Sequence, residues 1–319
     1  RRQRRISRWR AVSGSVLLDK GWIYPVSHAT NGGSVRVTVP SLVIPAGSGI
    51  NADGAGFSGG WVPGTAGFGP GRGTAGAGGY GGPGVLENNV YGSAANPTLP
   101  GSSGRCGNAQ PGGAGGLVWL DVASHRVVNG TITANAANSS GYGSGPASGG
   151  AVNIRCATVA GTNGVIRANG GSGGENGGGG GGRIALVYTD EAAQAQLPPP
   201  AINYSVHRGT DNAANYIGGI GTIYIPDPLL LETTFGHAGQ LILPAGKRLW
   251  EPASLTLTSG WFRLSQEGLE LKVAGDVTVS GSDTRLEIGG STNLYRGILR
   301  HVYSEGAVPT FSVGGDLTL

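Results

Sequence analysis

Four stretches of the chain open on a glycine pair and then alternate. They are Gly32-Gly33 leading into Ser34 to Val39, Gly115-Gly116 into Leu117 to Val122, Gly149-Gly150 into Ala151 to Cys156, and Gly181-Gly182 into Arg183 to Tyr188. In each, the second, fourth and sixth residues after the pair are apolar. Val35, Val37 and Val39 are followed by Val118, Leu120 and Val122, then Val152, Ile154 and Cys156, then Ile184, Leu186 and Tyr188. A period of two predicts strands with one buried face. A second motif follows the first three at near-constant distance: Ile50, Ile132 and Ile166 lie 17, 16 and 16 residues after the second glycine. Asp53, Asn135 and Asn169 close it, residue types that tolerate and hydrogen-bond tight turns.

Each unit is thus expected to hold two short strands and then a glycine-rich loop back to the next pair. Fixed strands joined by loops of very unequal length, up to the stretch 54–114, predict a solenoid in which each coil pairs only with its neighbours. The fold class expected is all-β, a right-handed parallel β-helix. Val35, Val118, Val152 and Ile184 should form one interior ladder, Ile50, Ile132 and Ile166 another, and Asp53, Asn135 and Asn169 a stack at a turn. Parity makes Val152→Asp far more damaging than Asn153→Asp. The sequence Gly218 to Ile225 reads as a variant glycine-pair strand. After about 239, L-x-L doublets dominate, and Ala274-Gly275-Asp276-Val277-Thr278-Val279 recurs as Gly314-Gly315-Asp316-Leu317-Thr318-Leu319. The expected organisation is a basic segment 1–12, a glycine-rich solenoid 13–228, and a continuing solenoid with shorter loops, 229–319. The only helical pattern, Glu191 to Gln196, is stopped by Pro198-Pro199-Pro200.

Composition sharpens this picture. The chain has 64 glycines in 319 residues, about three times ordinary usage. Six glycines run without interruption from Gly177 to Gly182. Lacking Cβ atoms, such strands can approach closely and hydrogen-bond laterally, so the loops are expected to form a polyproline-II-like glycine layer against one face of the solenoid. The net charge of +4 is carried by one terminal run, because Arg1, Arg2, Arg4, Arg5, Arg8 and Arg10 are six of the 22 basic residues. The rest is near neutral, which argues against a nucleic-acid face. No apolar run reaches membrane-spanning length. There is no methionine, and the chain stops within an apparent strand, so it is expected to be an excerpt or a processed piece. Cys106 and Cys156 form neither a disulfide framework nor a metal quartet. Cys156 should lie inside the coil, and Cys106 in an accessible loop, without a bridge between them.

The run Gly177 to Tyr188, the sequence Gly218 to Ile225 and the repeated G-D-[VL]-T-[VL] motif resemble the glycine-rich repeats of large secreted or cell-surface bacterial proteins, regarded as pectin-lyase-like parallel β-helices. The resemblance covers about 32–319. It implies an extracellular location and a bacterial source, and no particular activity.

Candidate chemistry is sparse. A β-helical lyase or hydrolase needs clustered carboxylates on an outer face. Asp121 points outward, but its coil equivalents are Thr38, Arg155 and Val187. Asp190-Glu191 and Glu267 with Glu270 read as turn residues. Gly71 to Gly76 matches G-x-G-x-x-G, yet follows no strand and opens no helix. His28, His125, His207, His237 and His301 are scattered surface residues by default, without metal-ligand spacing. No catalytic, cofactor-binding or metal residue is therefore assigned. The one binding candidate is Trp119, outward-facing beside Arg36 and Asn153, where an aromatic could stack on a sugar. A folded-back glycine loop covering Trp119 is the plainer alternative, and Tyr80, Tyr91 and Tyr142 share it. The function expected is an extracellular structural or filament-forming solenoid that self-associates. The alternatives are an adhesin contacting cell-surface glycans and a β-helical polysaccharide lyase or hydrolase.

Overall fold

The alternating segments at the head of each unit build one sheet. In the computed structural model, Arg10–Ala11, Arg36–Val39, Leu117–Val122, Ala151–Cys156, Arg183–Tyr188, Thr222–Tyr224, Gly239–Ile242, Trp261–Leu264 and Arg285–Ile288 pair in that order as nine parallel strands. The described residues are 10–11, 14–60, 62–87, 89–108, 111–140, 143–173, 177–210, 217–282, 284–288, 291–295, 298–302 and 310–318. The side chains of 10–11, 291–295, 298–302 and 310–311 fall outside the description, as do Arg1 to Arg8 and Tyr142. The register follows the alternation: Val152 pairs with Val118 on one side and Ile184 on the other. Arg36 pairs with Trp119, which sets Val35 against Val118.

Each of the first coils carries three strands, not the two expected. A middle sheet stacks Val16–Leu17, Leu42–Ile44, His125–Val128 and Thr158–Ala160. In coils two to four only one or two residues separate it from the first strand, and its inward row includes Arg126 where an apolar residue would mark a strand. That charged residue hides the period-two signal. The third sheet stacks Trp22–Ile23, Gly49–Asn51, Thr131–Thr133, Gly164–Arg167 and Ile202–Ser205, and aligns Ile23, Ile50, Ile132 and Ile166. At coil five the middle strand is replaced by the short helix Glu191–Gln194, capped by the Asp190 side chain. Gln194 then takes over the strand's role, exchanging two hydrogen bonds with the Val159 backbone at 2.7 and 3.0 Å.

From Thr234 onward the coils shorten. Thr234–Phe235, Leu255–Leu257, Val277–Val279 and Leu317–Thr318 stack on one side, and Leu249–Trp250, Glu270–Val273 and Thr310–Val313 on another. The repeated motif stacks on itself: Val277 pairs with Leu317, and the Asp316 N–H donates to Asp276 Oδ1 at 2.9 Å. The antiparallel pair Ser291–Tyr295 and Ile298–Val302 makes the last coil longer.

Inward residues of all these sheets form one continuous apolar core from Leu18 to Val277. Cys156 lies in it as expected, its thiol pushed up to about 11 by burial. His237 lies there too, contrary to the surface position expected. It is 1 % exposed, stacked 4.3 Å from Phe235, and takes the Tyr204 N–H on Nδ1. The alternation after Gly236 turns its ring inward with Phe235 and Leu241.

Candidate functional site

The long insertion 54–114 does not hang free. It folds over the outer face of the nine-stranded sheet, so that Leu117, Ala151 and Arg183, outward by parity, are buried under Tyr80. Arg183 fixes this cover. Its Nε and Nη2 donate to the Tyr91 carbonyl at 3.0 and 2.7 Å, Nη2 also reaches the Tyr80 carbonyl, and Nη1 donates to Thr222 Oγ1 at 2.9 Å. Cys106 belongs to the same cover and is 2 % exposed, which corrects its expected accessibility. No disulfide joins it to Cys156.

The remaining glycine tracts pack on the insertion backbone to backbone. The run Gly177 to Gly182 is the hub. Gly179 N–H donates to Gly171 O and Gly180 N–H to Gly78 O, while Gly181 O accepts from Gly81 and Gly82 and Gly179 O from Gly209. A Cβ on Gly180 would sit 2.0 Å from Gly82 O, and one on Gly179 1.9 Å from Ala147 O. Only glycine permits such approach. This is the hydrogen-bonded glycine layer that the composition led us to expect.

The Trp119 site is part of this cover. Trp119 is half-buried, with the Arg36 guanidinium 4.9 Å over its ring. Arg36 Nε in turn donates to Asp121, which raises the Arg36 pKa through that hydrogen bond. Asn153 is 5 % exposed and donates to Asn96 Oδ1 (3.0 Å) and the Pro97 carbonyl (2.9 Å). The three residues thus share one groove of about 280 Å³, with Asn96 and Arg155 at its rim, but Asn153 is already committed to the insertion. Asn153 is therefore not the solvent-facing position that parity alone implied. A carboxylate there would face two oxygen acceptors, so Asn153→Asp is itself disruptive.

The other motifs resolve as internal contacts. The Gly71 to Gly76 loop does cradle an anion, the Glu87 carboxylate. Thr74, Ala75 and Gly76 N–H groups all point at its Oε1. Burial works to raise the Glu87 pKa, but these donors, with the Thr74 hydroxyl, outweigh it and hold the group below the ordinary value. Asp190 caps its helix, and Glu270 pairs with Lys272 at 2.8 Å. Among the described residues no three His, Cys, Asp or Glu side chains converge as a metal site would require.

A second groove, of about 470 Å³, was not singled out by the sequence. It lies where the third sheet meets the shorter coils, lined by Arg167, Asn203, Ser205, Arg208, Gly236 and Ser259 among others. The turn ladder builds its wall. Asn135 N–H donates to Asp53 Oδ1 (2.6 Å), Asn169 N–H to Asn135 Oδ1 (2.9 Å), and His207 N–H to Asn169 Oδ1 (2.8 Å). Behind it, Trp261 is ringed by Arg208, Arg263 and Arg285 at 4.3, 5.0 and 4.5 Å from the ring centre. Only the identity of the asparagines hinted at this site, since its arginines come from distant coils without shared spacing.

Comparison with known protein families, with curated proteins and with solved structures finds no match for this chain.

Proposed function

We propose that this chain is a non-catalytic structural element of the bacterial exterior, a solenoid that self-associates into a surface assembly. The observation that carries the proposal is the glycine layer. Tracts from separate coils are laid side by side and hydrogen-bonded around Gly177 to Gly182, bracing the solenoid laterally. Such bracing suits a load-bearing or spacing role, since successive coils alone contact only their neighbours. The outward row Thr38, Asp121, Arg155 and Val187 supports the same view, because it presents one carboxylate and Arg36 engages it. Leu17, Trp22, Tyr24 and Val26 are exposed apolar side chains on the first described coil, available to a further copy. The resemblance to glycine-rich surface repeats of bacteria agrees with this location. Electron micrographs of the purified chain at rising concentration provide the test. Rods or filaments that lengthen with concentration are expected. A monodisperse monomer throughout, or depolymerisation of an acidic polysaccharide by the protein, would overturn the proposal.

A further inference from the structure

The basic groove described above gathers guanidinium groups, with one carboxylate, Glu287, bonded among them. Trp261 Nε1 donates to Glu287 Oε2 at 2.6 Å, and the same oxygen pairs with Arg263 at 3.1 Å and lies 3.8 Å from Arg285. This carboxylate thus engages Arg263 and Arg285, while Arg208 is the third guanidinium stacked on the same indole. Arg208 is the member that faces the groove, and its Nε has no hydrogen-bond partner. Its pKa is lowered to about 10, by burial first and then by Arg285 and Arg263, so the folded chain holds this charge at a cost. Arg167 stands across the groove, exposed, on the outward row between Thr133 and Ser205. Among the described lining residues there is no Asp or Glu.

We propose that this groove binds a saccharide carrying oxyanions, with Arg208 and Arg167 meeting its sulfate or carboxylate groups and Asn203, Ser205 and Ser259 meeting its hydroxyls. Planar guanidinium groups match both oxyanions through paired N–H donors. The amide and hydroxyl side chains beside them suit a hydroxyl-rich chain better than an inorganic ion. A nucleic acid fits less well. Single strands are held largely by stacking on exposed aromatics, and Trp261 is 5 % exposed beneath its arginines. The floor is kept low by Gly236, where a Cβ would come 2.2 Å from Ser259 Oγ and 3.4 Å from Asn203 Nδ2. The inference is independent of self-association and goes beyond it, because an isolated chain carries the whole groove.

The test is titration calorimetry of the full chain with dextran sulfate, alginate, neutral dextran, inorganic sulfate and a single-stranded oligonucleotide. Binding of dextran sulfate, alginate or both is expected, with whichever binds naming the anion. It should weaken as salt is raised, and neutral dextran should not bind. Arg167→Gln removes an exposed charge, and Gly236→Val fills the floor without changing charge. Each should weaken binding at least tenfold, Arg167→Gln with thermal unfolding unchanged and Gly236→Val with a modest loss of stability while the fold is kept. Binding of neither polyanion, or binding that survives both variants, overturns the site. Inorganic sulfate or the oligonucleotide bound as tightly through the same residues overturns the saccharide assignment.

Discussion

Single buried ionisable side chains set the pH behaviour of this protein. His237 has its pKa lowered to about 3 because burial disfavours its charged form. The unfolded chain takes up a proton near pH 6.5 that the folded chain refuses. Stability from this group is therefore complete above about pH 6.5 and is lost as pH falls toward 3. Between pH 6.5 and 4.5 the expected loss is about 2 kcal/mol. Urea unfolding at the two pH values, repeated on His237→Phe, checks this, and the variant should lose most of the difference. Arg126 is the opposite case, a cation left in the core. It is fully buried, none of its three guanidinium nitrogens has a hydrogen-bond partner, and burial lowers its pKa to about 10 against the opposing influence of Cys156 and Tyr204. Replacing an uncompensated interior charge with an apolar side chain of similar reach removes a desolvation cost. Arg126→Met should thus leave stability unchanged or raise it, by up to about 3 kcal/mol. A marked fall in melting temperature would show that the guanidinium has a partner inside the coil.

At the scale of elements, the alternating strands and the asparagine turns were legible because each obeys a local rule. Val118, Val152 and Ile184 are inward by parity, and the Asn135 and Asn169 side-chain oxygens accept the Asn169 and His207 N–H groups of the next coil. The middle strands were not legible, since Arg126 interrupts one and a helix with Gln194 replaces another. Nor was the buried state of Leu117, Ala151, Arg183 and Cys106, which follows from where a 61-residue insertion comes to rest, positions 54–114. That outcome depends on long-range contacts such as Arg183 with Tyr91, which have no sequence period. The glycine layer was foreseeable from composition and from the uninterrupted run Gly177 to Gly182, but the partners that run meets, such as Gly78, Gly81 and Gly209, were not. A pair of substitutions separates close packing from mere glycine content. Gly180→Ala puts a methyl against the Gly82 carbonyl and should cost about 2 kcal/mol or more. Gly246→Ala, in a short 3-10 turn with nothing within 4 Å of the new Cβ, should be nearly silent. Chemical denaturation of both variants reads the contrast.

The whole molecule has two kinds of interior, joined through the nine-stranded sheet. One face of that sheet closes over apolar ladders of the usual kind. Part of the other, around Leu117, Ala151, Arg183 and Thr222, is covered by the insertion and the glycine tracts, where close backbone contact and amide hydrogen bonds replace side-chain burial. Glycine loses much conformational freedom on ordering, so such a layer persists only if its hydrogen bonds form together with the solenoid beneath. Removing the pin should therefore loosen the layer before the coils. Arg183→Met is expected to speed proteolytic cleavage within 54–114 while the circular dichroism of the strands is kept. The most direct measurement is amide hydrogen exchange of the native chain, resolved to peptides. Peptides covering Gly177 to Gly182 are predicted to be protected as strongly as those covering Ala151 to Cys156. Exchange of the glycine tract within seconds, beside protected strands, would contradict the layer and with it the braced solenoid.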